Sequence, residues 1–95
     1  MASIIERIRS RMRGGRYVLT SHAIEEMAED GLTEVDLEAT VMSGRVVRTQ
    51  SDRVGRRRYT LEGWTSSRRR VRPVCRYSDP GERIVVISVY EIEEA

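Results

Sequence analysis

The 95-residue chain has one histidine, one cysteine and no lysine. Its acid–base and anion-binding chemistry must therefore come from His22, the carboxylates, the tyrosines and seventeen arginines. Histidine is the only side-chain type that ordinarily exchanges a proton near neutral pH, so His22 is the natural general acid or base. Glu25 and Glu26 follow it by three and four residues, on the same face of any helix that starts here. Arginine offers a planar fork of donors matched to phosphate and carboxylate, whereas the lack of lysine excludes Schiff-base and P-loop lysine chemistry. Cys75 stands alone, which excludes a disulfide framework and a cysteine-rich metal site and fits a reducing, cytoplasmic compartment.

The charges are segregated. Residues 1–16 carry +4, residues 17–44 carry −7, residues 45–83 carry +8 and the remainder −3, although the net charge is only +2. A basic block after an acidic one suggests a surface for a polyanion, unless the two neutralise one another in the fold. No stretch has the uninterrupted apolar run of a signal peptide or the length of a membrane span, so no membrane partner is expected.

These residues need elements to hold them. A single domain, 1–95, accounts for the length. Ser3 and Glu6 form a capping box for a first helix from about Ile4 to Met12, with Ile5, Ile8 and Met12 as its apolar stripe and Gly14–Gly15 as its stop. Tyr17 to Leu19 reads as a short strand. A second helix begins at His22, capped by Thr20 or Ser21, with Ile24, Met27 and Ala28 turned inward and Gly31 as a left-handed cap. Thr33 and Asp36 open a third helix, stapled by Leu32 and Leu37, with Val35, Ala39 and Met42 buried and Gly44 at its end.

After Gly44 the period changes from helix to strand. Arg45 to Gln50, Arg57 to Trp64, Arg69 to Tyr77 and Arg83 to Glu91 are separated by short polar connections, which implies an antiparallel meander of four strands. Asp79-Pro80-Gly81-Glu82 has the chemistry of a type II turn. Ile84 to Tyr90 is apolar on both faces and should be a central strand, while Pro73 marks its own strand as an edge or as bulged. By alternation Arg56, Arg58, Thr60 and Glu62 oppose Tyr59 and Leu61. Arg68, Arg70, Arg72, Val74 and Arg76 share one side, and Val85, Ile87 and Val89 face the helices, leaving Ser88 and Tyr90 with the arginines.

Tyr17-x-x-Thr20-Ser21-His22-Ala23, a helix, Gly31-Leu32-Thr33, a second helix ending at Gly44, a run of strands and a closing IVVISVY resemble the domain-of-unknown-function family 4258. That family is grouped with the RelE/ParE toxin superfamily. The resemblance spans about residues 16–91. It implies an α+β, RelE/ParE-like fold, with N-terminal helices packed on one face of a twisted, mainly antiparallel four-stranded sheet. RelE-type members cut mRNA on the ribosome with basic and polar side chains of the open sheet face, usually without metal; ParE-type members act on gyrase. The family histidine falls on His22, and its frequent Thr-x-Tyr falls on Ser88 and Tyr90. Where the family usually has arginine, four residues after the histidine and just before the glycine, this chain has Glu26 and Asp30.

Two functions are expected from these residues. The first is an RNA-binding toxin-type domain acting as an endoribonuclease without metal or other cofactor. In it Arg58, Arg70, Arg72 and Arg76 hold phosphates, His22 moves the proton, and Tyr90 or Ser88 orients it. RNA or the ribosome would be the target, and a cognate antitoxin the protein partner. The second is a non-catalytic, protein-binding module, docking an antitoxin or a gyrase-like target, in which the site has degenerated and Glu26 repels an approaching phosphate.

Overall fold

The computed structural model describes residues 3–78 and 82–93. The chain runs α1 (Ile4–Arg13), β1 (Tyr17–Leu19), α2 (Ser21–Asp30), α3 (Glu34–Ser43), β2 (Arg45–Ser51), β3 (Arg57–Trp64), β4 (Arg70–Tyr77) and β5 (Ile84–Glu91). Local chemistry explains the helix ends. Ser3, Thr20 and Thr33 each accept a hydrogen bond from the backbone N–H three residues on, and Thr33 with Asp36 completes a capping box. Gly31 closes α2 at φ 66°, the left-handed conformation that glycine adopts without steric cost. The turn assigned to Asp79-Pro80-Gly81 lies outside the described residues.

The sheet has five strands, not four, in the order β1-β5-β4-β3-β2. β2 to β5 form the expected antiparallel meander, and β1 pairs in parallel with β5 through Tyr17↔Ile84, Val18↔Val85 and Leu19↔Val86. Three residues carry no local sign of a partner found only sixty-seven positions later. Flanked on both sides, β5 is the internal strand its two-faced apolar run requires. β4 is internal as well, and Pro73 is accommodated beside an irregularity in the β4–β5 ladder.

That irregularity changes which residues face the core. Val74 pairs with Ser88 and Cys75 with Val86, so Ile87 is an extra residue in β5. A bulge reverses side-chain alternation. Ile84, Val86 and Val89 are consequently buried, while Val85 and Ile87 are only partly covered, correcting the expectation that Val85, Ile87 and Val89 would form the inner row.

α1 and α3 cover one face of the sheet, and α2 packs along β5 and β1. Ile8, Met12, Ala23, Met27, Leu37 and Val41 from the helices meet Tyr59, Leu61, Val71 and Cys75 from the strands. The inner stripes of α2 and α3 differ from the simple periodic reading: Ala23 and Met27 are buried on α2, with Ala28 exposed, and Leu37, Thr40 and Val41 are buried on α3. Ala23 replaces Ile24, which is 53% exposed, and Leu37 with Val41 replaces Val35, which is 71% exposed. No described helix is long and apolar enough to cross a membrane.

The C-terminal end of α3 lies directly on β3 at Gly63. A methyl group there would collide with the Thr40 carbonyl oxygen and crowd Gly44 Cα, both backbone atoms that cannot rotate away. Gly63→Ala should therefore cost about 1–3 kcal/mol through overpacking. For a domain of this size that lowers Tm by roughly 4–8 °C per kcal/mol. Unchanged thermal unfolding would show that α3 does not approach β3 this closely.

Candidate functional site

β1 ends at Leu19, but β5 continues past it, and the start of α2 takes over the unpaired edge. The Thr20 N–H donates to the Val86 carbonyl at 3.0 Å, and Thr20 Oγ1 donates to the Ile87 carbonyl at 3.0 Å. Glu26 extends the pattern. Its Oε1 accepts from Ser88 Oγ at 2.6 Å and from the Val89 N–H at 3.0 Å, and His22 Nε2 lies 3.2 Å from the same oxygen. Glu26, which stands where the family usually has arginine, is thus the acceptor that ties α2 to the bulge in β5. His22 remains 65% exposed at the rim of the sheet.

In front of His22 opens a cleft of about 470 Å³ over the helix-free face of the sheet. It brings together five residues expected from sequence: His22, Arg58, Arg72, Ser88 and Tyr90. Arg48, Gln50 and Thr60 also line it. Arg48 and Gln50 stand two apart on β2, so alternation alone would have set them on one face. The remaining two expected residues lie elsewhere. Arg70 reaches toward Trp64, its guanidinium carbon 5.8 Å from the ring centroid, and Arg76 donates to the Tyr77 carbonyl at 3.2 Å.

The arginine wall has a carboxylate at its centre. Glu62, only 8% exposed, accepts from Arg70 Nη2 and from Arg72 Nε, each at 2.9 Å, with Arg45 at 4.0 Å. The neutralising acid is thus on the sheet, whereas the sequence alternative placed it on the helices. Hydrogen bonding from Arg70, and then from Arg72, holds the Glu62 carboxyl below its ordinary pKa. Glu62, and next the Tyr90 hydroxyl, raise Arg72 above its usual value. Arg69 is paired off separately, with Glu91 at 2.8 and 3.0 Å. The exposed guanidinium groups of Arg48 and Arg58 therefore carry the cleft's available positive charge.

Other reactive groups are withdrawn. Burial pushes the Cys75 thiol up to about 12, leaving it a core residue. Tyr17 is pushed up to about 12 by burial and by hydrogen bonds to Glu34 and Glu38, away from the cleft. Among the described residues no group of His, Cys, Asp and Glu is arranged to hold a metal ion.

Residues 19–91 match the model of the family described as Domain of unknown function (DUF4258). The chain belongs to that family. The match covers α2 to β5 and so contains every residue of the cleft, while α1 precedes it. No curated protein and no solved structure matches the chain.

Two outcomes follow from this geometry. Glu26→Ala removes a charged acceptor from three donors and should lower stability by about 2 kcal/mol, whereas His22→Ala, losing an exposed ring, should barely move thermal unfolding. Equal losses in both would place the tie in the imidazole instead. For Glu62, a folded-state pKa below the ordinary 4.5 means that its contribution is present at neutral pH and fades as the pH falls below about 4.5. Glu62→Gln should be less stable than wild type at pH 7, with the difference shrinking toward acid; a difference constant across that range would contradict the pairing.

Proposed function

We propose that the cleft binds the phosphodiester backbone of RNA and cleaves it by acid–base chemistry that needs no metal, as a RelE-like toxin-type domain of the cytoplasm. The observation that carries this reading is the convergence of His22 and Tyr90 with Arg48, Arg58 and Arg72 around one open hollow on the helix-free face. A phosphate seated against Arg48 and Arg58, with Arg72 held beside it by Glu62, would have its charge balanced where charge develops in the transition state.

In the proposed reaction His22 takes the proton of a 2′-hydroxyl, and the 2′-oxygen attacks the adjacent phosphorus. The bond to the 5′-oxygen breaks, leaving a 2′,3′-cyclic phosphate and a 5′-hydroxyl. The departing oxygen receives its proton from Tyr90; Arg72 steadies the phenolate until Tyr90 regains a proton from solvent, and His22 releases to solvent the one it took. Ser88 does not touch substrate; through its hydrogen bond to Glu26 it positions His22. Glu26 therefore acts on the imidazole from behind, and its carboxylate is occupied before an RNA phosphate arrives.

A second role, docking of a protein such as an antitoxin, is favoured by a separate feature. Val18, Leu19, Ile24, Met27, Ala28 and Leu32 line an apolar groove of about 640 Å³ beside β1, on the acidic helical side of the molecule. A basic segment with apolar anchors would suit it, and the groove lies on different residues from the cleft.

Arg48→Ala/Arg58→Ala should reduce the slope of log K against log salt for a single-stranded RNA by about 1.4, from about 0.7 per phosphate contact. His22→Ala should retain this binding and lose cleavage, with cyclic-phosphate ends seen only for wild type. An unchanged salt slope, or cleavage surviving in His22→Ala, would overturn the assignment.

A further inference from the structure

The open face continues beyond the cleft to an aromatic surface that phosphate binding does not use. Trp64, the chain's only tryptophan, is directly opposite Arg70 in the β3–β4 ladder and is 45% exposed. Its backbone is pinned. Ser43 Oγ receives the Trp64 N–H at 3.0 Å and lies 3.2 Å from the Trp64 carbonyl oxygen, to which it donates. Beside the indole a hollow of about 470 Å³ is lined by Arg68, Arg69, Arg70, Glu91 and Glu93, with Glu91 already engaged by Arg69. An exposed, rigidly mounted indole flanked by arginines is the arrangement on which unpaired bases stack.

The turn beside it adds a second observation. Thr65 holds the β3–β4 connection closed, receiving the Arg68 N–H at its carbonyl and the Arg69 N–H at its hydroxyl. Arg68 sits there at φ 65°, the one non-glycine among the described residues in the left-handed region. A glycine would fill that position without strain; the arginine there is exposed and lines the hollow beside Trp64.

We propose that Trp64 and Arg68 form a subsite for one unstacked nucleobase and its phosphate, making single-stranded RNA the ligand of this face. The proposal rests on the RNA reading of the cleft. Glu62 links the two places, since it holds both Arg70, which lies over Trp64, and Arg72, which lines the cleft. Arg70 and Arg72 are two strand residues apart, a step of about 7 Å. A strand entering at the cleft thus reaches the indole within a few nucleotides, and a duplex, whose bases are already stacked, cannot use it.

Because Trp64 is the sole tryptophan, its fluorescence reports this subsite alone. A 5′-labelled oligouridine of about twelve nucleotides, 2′-O-methylated so that the proposed reaction cannot cut it, would be followed by anisotropy for binding and by Trp64 emission for stacking, beside an abasic 2′-O-methylribose-phosphate oligomer of equal length. The expected result is quenching with oligouridine but not with the abasic oligomer. Trp64→Ala should weaken oligouridine binding by roughly tenfold, and Trp64→Tyr should restore most of it. Arg68→Gly should weaken binding severalfold while Tm holds or rises, a separation that a purely structural arginine would not give. Binding by anisotropy with unchanged Trp64 emission, or equal affinity for the abasic oligomer, would overturn the subsite and leave the cleft reading standing. No binding of oligouridine to wild type would overturn both.

Discussion

One carboxylate oxygen sets the arrangement on which the site depends. β1 is too short to cover the edge of β5, and an uncovered strand edge leaves backbone donors without partners. Glu26 supplies the acceptor that a longer β1 would have given, taking the Val89 N–H and the Ser88 hydroxyl at the point where β5 carries its extra residue. The same oxygen lies beside His22, so stabilising the bulge and locating the imidazole are one act. The bulge in turn turns Val86 and Val89 into the core and keeps Ser88 and Tyr90 on the open face. Without that shift the histidine helix would start beside an apolar row.

Electrostatics on the open face follow a similar economy. Twelve arginines between residues 45 and 83 would repel one another if they shared a bare sheet surface. Glu62 holds two of them, Arg69 is taken by Glu91, and the arginines left exposed at the cleft are those on β2 and the start of β3. A face that looks uniformly basic in sequence is therefore divided: a braced centre at Glu62, an available cationic cleft on one side, and an aromatic platform on the other.

Much of this was legible from residue order because it rests on local chemistry. Capping residues at Ser3 and Thr33, glycine at position 31 and the polar connections between strands act within a few positions, and those element boundaries agree closely with the fold. Sheet-face alternation likewise grouped Arg58 and Thr60 opposite Tyr59 and Leu61. What could not be read depends on distant partners. The parallel pairing of β1 and the capture of Val89 by Glu26 are set by contacts between residues more than sixty positions apart, and the bulge at Ile87 by the register of β5 against β4. Comparison with a family pattern made Glu26 look like a missing arginine, because a pattern records which residue is usual and not what the substituted side chain touches. Ile24 and Val35 stand at apolar helical spacing yet are exposed, and on α2, which packs along β5, it is the small Ala23 that is buried.

The helix-free, arginine-bearing face is the proposed working surface. Backbone amide shifts recorded by NMR while a short single-stranded RNA is added test it most directly. The expected perturbations group at the start of α2 around His22, at Arg48 to Gln50, at Arg58 to Thr60, at Arg72 and at Ser88 to Tyr90, with α1 and the outer side of α3 unmoved. Perturbations confined to α1, or to the apolar groove beside β1, would contradict it.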